Sequence, residues 1–210
     1  DSDPDILDGY KVVCINGHSE YWSGRAYDGL DRYLKGGGAS VVMSGNTMFW
    51  RVSFDGTGEV MECRKFGKSI GGRARAKVGE LYHSHDFKRG SLMRFCGYPA
   101  WKLVGLTCLG WAGGEFKPYR VDLPEHFLFN EPHKIELNGG DEFGFVNEKI
   151  GAVGHEYDVR LSTILKATRD PKLKGLVEPE GIVTVASSHD DRIVLDFNAE
   201  AHQKRVGGEQ

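Results

Sequence analysis

Four short stretches concentrate side chains able to bind a metal, move a proton or stack on a ring: GHSEYW (17–22), SGNTMFW (44–50), ELYHSHD (80–86) and GHEYD (154–158). The first follows the apolar run KVVCIN, so His18, Glu20, Tyr21 and Trp22 fall where a strand would stop. In open parallel sheets, ligands bind beyond the C-terminal strand ends, where helix N-termini also point. The second stretch ends the next apolar run, which places Asn46 beside His18 and Tyr21, able to donate or accept toward a ligand. Phe49 and Trp50 read as core or pocket wall. In the third, an extended backbone would turn His83 and His85 to the same side, toward one metal ion or one substrate. In the fourth, Glu156 is a carboxylate suited to general-base work or to a hard cation, and Asp158 could orient a histidine.

Each stretch also has a plain structural reading. His18 and Glu20 could cap the following helix, Asn46 could serve a turn that needs positive φ, and Glu156 or Asp158 could pair with Arg160. HDD (189–191) reads as a turn, and the basic run GGRARAK (71–77) as solvated loop.

Several chemistries find no motif. There is no GxSxG elbow, and the GGG and GGRA runs match neither a phosphate-binding loop nor a dinucleotide fingerprint. The four cysteines, Cys14, Cys63, Cys96 and Cys108, have no metal-type spacing. Cys14 and Cys108 sit in apolar runs and read as buried, inert core residues, which fits a reducing, cytoplasmic compartment.

The elements that must position these residues follow from the apolar pattern. YKVVCIN (10–16) reads as a buried strand. Ser23 is a helix N-cap, Ala26, Leu30, Tyr33 and Leu34 recur at helical spacing, GGG (36–38) stops the helix, and ASVVMSG (39–45) is the next strand. A strand, helix, strand unit calls for a parallel pair. Further on, MFWRVSF (48–54), EVMECRK (59–65), KLVGLTCLG (102–110) and EFGFV (142–146) read as strands, with DGTG (55–58) as a hairpin turn. VRLSTILKATRD (159–170) reads as a helix, GIVTVASS (181–188) and RIVLDFN (192–198) as strands, and AEAHQKRVGGEQ as a helix start or tail. The expectation is one α/β domain over 1–210, a parallel-sheet core with a β-rich insertion at about 48–150.

A net charge of −3, from 27 basic and 30 acidic side chains, gives no broad electrostatic reason to expect a nucleic acid or an anionic membrane as partner. No apolar stretch approaches the roughly 18 residues a bilayer span needs. The start, DSDPDILDGY, lacks methionine and leads quickly into a strand, as a processed subunit or fragment would.

In order along the chain, DPDILDGYKVVCINGHSEYW (3–22), SGNTMFW (44–50), GELYHS (79–84), KLVGLTCLGW…KPYR (102–120), GHEYDV (154–159) and VASSHDD (185–191) resemble segments of the C-terminal region of the N,N-dimethylformamidase large subunit family. The resemblance implies a glutamine-amidotransferase-like α/β fold with added β structure. It also implies an amide hydrolase that uses a mononuclear iron held by tyrosine and glutamate oxygens. On that reading Tyr21 is a metal ligand, Glu156 a catalytic carboxylate or second ligand, and His83 the family-like histidine. Asn46 would steady substrate or water beside His83, and His85 is a further metal candidate. His18, Trp22, Phe49 and Trp50 would line the substrate, a small N-substituted amide. Two departures stand out: Phe49 replaces the family's tyrosine in GNxxYW, and Lys88 stands where the family continues with a carboxylate. The family's preceding tyrosine segment would lie before Asp1; if it supplies a ligand, this chain alone has an incomplete site or its metal ligation has changed. A small subunit or self-association is a further expected partner. Two rivals are a zinc or other divalent hydrolase using His83 and His85, and a metal-free carbohydrate-binding or assembly module. That module would expose Trp22, Trp50, Trp101 and Trp111.

Overall fold

The computed structural model describes residues 3, 5–65, 78–167, 173 and 175–195. GGRARAK (71–77) and AEAHQKRVGGEQ lie outside the described residues, as does the end of the 159–170 segment. The chain forms an α/β fold with mixed parallel and antiparallel sheets and divides into two compact units. The first is built mainly from Asp1–Cys108 and Asp158–Glu178, the second from Leu109–Tyr157 and Pro179–Asp196.

The first unit opens with β1 (Val12–Asn16), β2 (Tyr21–Trp22), α1 (Gly24–Lys35) and β3 (Ala39–Met43). Strands β1 and β3 pair in parallel from Val12↔Ala39 to Asn16↔Met43, as the crossover helix requires. The Ser23 hydroxyl accepts from the Ala26 N–H at 3.0 Å and so starts α1. Gly36 ends it, its N–H donating to the Arg32 carbonyl at 2.9 Å. Helical spacing brings Tyr27, Leu30 and Tyr33 onto one face, where they pack with Ile15, Met48, Met93 and Ala100. Burying Leu30, 1% exposed, contributes about 2 kcal/mol.

Cys14 is exposed, contrary to its reading as a core residue. Val13, Ile15 and Val42 pack toward the α1 cluster. The period of two therefore turns Val12, Cys14, Val41 and Met43 to the opposite face, where Val12, Val41 and Met43 are about half exposed. Cys108, 1% exposed, is buried as expected.

β4 (Trp50–Phe54) pairs in parallel with β2 through Tyr21↔Trp50, and antiparallel with β5 (Met61–Cys63). The DGTG turn joins β4 to β5, and the Asp55 carboxylate accepts from the Glu59 and Val60 N–H groups. Residues 78–81 and 93–96 form 3₁₀ turns. The expected strand over 102–110 begins instead as α2 (Trp101–Val104). Gly105, at φ 74°, closes that turn with its N–H on the Trp101 carbonyl, and β6 (Thr107–Lys117) follows.

The second unit adds β7 (Tyr119–Val121), α3 (Phe127–Asn130), β8 (Glu142–Phe143) and most of β9 (Val153–Val159), whose Asp158 and Val159 belong to the first unit. After α4 (Leu161–Ala167), which belongs to the first unit, come β10 (Ala186–Ser187) and β11 (Val194–Leu195). Its sheets run β10-β7-β8 and β11-β6-β9. The strands expected over 181–188 and 192–198 shrink to β10 and β11 among the described residues, and HDD is part of the turn between them.

Candidate functional site

Adjacent parallel strands deliver adjacent loops, and the GHSEYW and SGNTMFW stretches meet. The Ser19 hydroxyl lies 2.8 Å from that of Ser44 and 2.5 Å from that of Thr47. The Met48 N–H donates to the Ser19 carbonyl at 3.0 Å, and the Phe49 and Trp50 N–H groups donate to the Glu20 carbonyl at 2.8 and 2.7 Å. His18 is exposed on this edge, while the Trp22 indole is turned inward and donates to the Ser19 carbonyl at 2.7 Å. Asn46 takes the positive φ, 54°, that turn chemistry anticipates. It is buried, and its N–H donates to Asp158 Oδ2 at 3.1 Å. Burial pushes the Asp158 carboxyl above its ordinary range, against the pull of that hydrogen bond. Asp158 thus serves Asn46, not a histidine, and Arg160 pairs with Glu178 at 2.5 Å.

Tyr21 is 44% exposed, and the Lys65 ammonium donates to its phenol oxygen at 2.5 Å. The same ammonium lies 4.8 Å from the Tyr21 ring centre and 5.2 Å from that of Trp50. Phe49 meets Trp50 edge-on at 5.1 Å. Tyr21, Phe49 and Trp50 thus share one aromatic edge of the first unit.

The densest buried polar cluster is centred on His83, 1% exposed. Its Nδ1 lies 2.6 Å from Ser53 Oγ and 3.4 Å from a guanidinium nitrogen of Arg51. Arg51 and Ser53 alternate with Val52 on β4, so the period of two places both on the face that His83 covers. The Arg51 guanidinium also donates to the Arg89 carbonyl at 3.1 Å and forms a close ion pair with Asp86. Burial and then the Arg51 charge hold His83 below its usual pKa, so its imidazole is neutral around neutral pH. Burial opposes ionisation of Asp86, but Arg51 outweighs it and keeps that carboxyl below its ordinary range.

His83 and His85 do not share a direction, because the segment is not extended. A 3₁₀ turn over 78–81 leads into a tight reversal closed by Tyr82↔Arg89 and by the His83 N–H on the Lys88 carbonyl. His83 faces β4, whereas His85 Nε2 lies 3.8 Å from Glu62 Oε2. Glu62 also accepts from the Ser84 N–H and hydroxyl at 2.7 and 2.8 Å and pairs with Arg64. Burial raises the Glu62 pKa, yet these partners prevail and hold it at about 2.

Because the folded Glu62 and Asp86 values lie below the unfolded range of roughly 4, their stabilisation is full above that range and is lost as pH falls through it toward about 2. The thermal midpoint is expected to drop over that window, and Glu62→Gln to flatten part of the drop. Identical acid limbs for the two proteins would contradict this assignment.

Glu156 lies on β9 in the second unit, partly buried, one position before Tyr157, which is 4% exposed. Tyr21 offers a hard oxygen, but a lysine ammonium already occupies one side of it. Among the described residues no group of three or more His, Cys, Asp or Glu side chains converges on a point a metal could occupy.

Sequence reading missed Arg51, Ser53 and Gly90. The available signal was the alternation of Arg51 and Ser53 with the apolar Trp50, Val52 and Phe54, two polar groups on one face of an otherwise apolar strand. Gly90 shows its role only in three dimensions: a Cβ there would stand 2.2 Å from His83 Nε2 and 2.9 Å from the Leu81 carbonyl.

Residues 1–207 match the family of N,N-dimethylformamidase beta subunit-like proteins, C-terminal region. The N,N-dimethylformamidase beta subunit of Paracoccus aminophilus is 32% identical over 123 residues, 58% of this chain and 16% of that protein. The counterpart from Alcaligenes sp is 31% identical over 127 residues, 60% of this chain and again 16% of that protein. The matched stretch is a small part of either relative. With a match that runs nearly from end to end and motifs whose first two stretches lie joined at the C-terminal ends of β1 and β3, the chain belongs to the N,N-dimethylformamidase beta subunit-like, C-terminal family.

Proposed function

We propose that this chain is part of a hydrolase of small N-substituted amides. The observation that carries the reading is the family match across residues 1–207, supported by two N,N-dimethylformamidase beta subunits among its relatives. The finer fold reading belongs to the same proposal: β1, α1 and β3 form one parallel unit of a glutamine-amidotransferase-like sheet, with the reacting edge at its strand ends.

The chemistry asked of the protein is specific. Resonance makes an amide carbonyl a poor electrophile, so catalysis needs a donor or Lewis acid at the carbonyl oxygen, a nucleophilic water and a carboxylate for the proton. On this reading His83 lies in the donor cluster and Asn46 steadies the loop edge of the first unit, while the carboxylate role of Glu156, in the second unit, comes from the family resemblance alone. His18, Trp22, Phe49 and Trp50 stand around the substrate. Iron is part of the proposal as the family resemblance implies it. It would take the Tyr21 oxygen in place of Lys65. His85, which faces Glu62, is the weaker metal candidate.

The test is dimethylamine release from N,N-dimethylformamide by the full-length protein, purified without an affinity-metal step and analysed for metal. Release above the uncatalysed background is expected; a folded, iron-loaded protein that releases none overturns the reading. Tyr21→Phe is expected to cost the protein its iron and any phenolate-to-iron absorption band. Unchanged iron content in that variant would remove Tyr21 from the ligand set.

A further inference from the structure

We propose that His83 acts as a hydrogen-bond donor through Nε2–H, and that Ser53 and Arg51 are positioning residues that fix this tautomer. A guanidinium has five N–H donors and no acceptor, so the Arg51 nitrogen 3.4 Å from Nδ1 can only donate toward it. A proton on Nδ1 would set N–H against N–H. The Ser53 hydroxyl, 2.6 Å away, can donate or accept, and with Arg51 on the same side it donates. Nδ1 is therefore the acceptor, and a neutral imidazole carries its proton on Nε2.

The arrangement is held on every side. Arg51 cannot turn away, because Asp86 and the Arg89 carbonyl hold two more of its N–H groups and the residue is 3% exposed. Ser53 is 5% exposed on the same strand. The lowered pKa of His83 agrees with a ring that stays neutral in this setting.

Nε2 itself is buried, and among the described residues no atom accepts from it. Its neighbour is Gly90, where any side chain would collide with it at 2.2 Å. A buried N–H without an acceptor is costly, so its retention calls for an explanation. On the amide-hydrolase reading the acceptor is the substrate's carbonyl oxygen, a group that draws more from a donor as negative charge develops on it. This deepens the amide-hydrolase reading, and rests on it for the identity of that oxygen. It also removes His83 from general-base duty, since its lone pair on Nδ1 already accepts from Ser53 and Arg51.

The test is nitrogen NMR of the imidazoles in the ¹⁵N-labelled full-length protein at neutral pH, with His83 assigned through its backbone. The expected spectrum has Nδ1 at the unprotonated position and Nε2 at the protonated one. Ser53→Ala is expected to shift a measurable share of the ring to the other tautomer, and Ser53→Thr to restore the original. A proton on Nδ1 in the unmodified protein overturns the proposal, and an unchanged tautomer in a folded Ser53→Ala protein overturns the role of Ser53. Should that variant fail to fold, the unmodified spectrum decides. The amide-hydrolase reading fails separately: an Nε2–H signal in a protein without amidase activity leaves the tautomer standing and removes only its carbonyl partner.

Discussion

Asp86→Ala is expected to destabilise the first unit by about 3 kcal/mol. The cost does not come from losing a favourable contact at the surface. It comes from Arg51, whose side chain is 4% exposed and would keep a full positive charge with no carboxylate beside it. Breaking a buried pair by removing one partner is far more damaging than replacing both, because the remaining charge has neither water nor counter-ion. The Arg89 carbonyl stays in place and softens the loss, as does the partial exposure of Asp86. Chemical denaturation of the two proteins measures the difference, and a change below about 0.5 kcal/mol, the range of ordinary surface substitutions, would contradict it. Arg51→Met together with Asp86→Ala is expected to recover part of the loss, since the orphaned charge is then gone.

Gly90→Ala is expected to cost about 2–3 kcal/mol, at the upper end for overpacking. Its Cβ would meet His83 Nε2 at 2.2 Å, His83 Cδ2 at 2.6 Å and the Leu81 carbonyl at 2.9 Å. The ring cannot simply retreat, because Ser53 and Arg51 hold its other side. The Leu81 carbonyl is equally fixed, since it accepts from the Gly90 N–H at 2.7 Å. A methyl group so placed must move either the imidazole or the reversal that carries it. Denaturation measures the stability change, and the His83 nitrogen resonances report the displaced ring. A Gly90→Ala protein with unaltered stability and unaltered His83 signals would show that the ring and the glycine are not in contact.

What could be read in the sequence and what could not divide along physical lines. Local signals were legible: Ser23 at the helix start, the apolar spacing of Leu30 and Tyr33, and the glycines after Lys35 gave α1 and the parallel pair around it. The meeting of GHSEYW with SGNTMFW followed from that topology. The hydroxyls that join them, Ser19, Ser44 and Thr47, have no spacing that distinguishes them from surface residues. His83 stood out by type, but its partners lie some 30 residues earlier on β4, a distance no local pattern spans. The expectation of a paired His83 and His85 failed because it assumed an extended backbone, where the chain instead reverses around Phe87 at φ 55°. Cys14 was misread for a related reason. An unbroken apolar run looks the same whether a strand is covered on two faces or on one.

The proposal that His83 Nε2 is the working donor of an amide hydrolase is tested most directly by His83→Asn. The asparagine oxygen can still accept from Ser53 and Arg51 in place of Nδ1, while the Nε2 donor is gone. In the full-length protein, with folding verified by thermal unfolding, the turnover rate for dimethylamine release from N,N-dimethylformamide is expected to fall about 100-fold, with KM little changed. A folded His83→Asn protein that releases dimethylamine at the unmodified rate would contradict it.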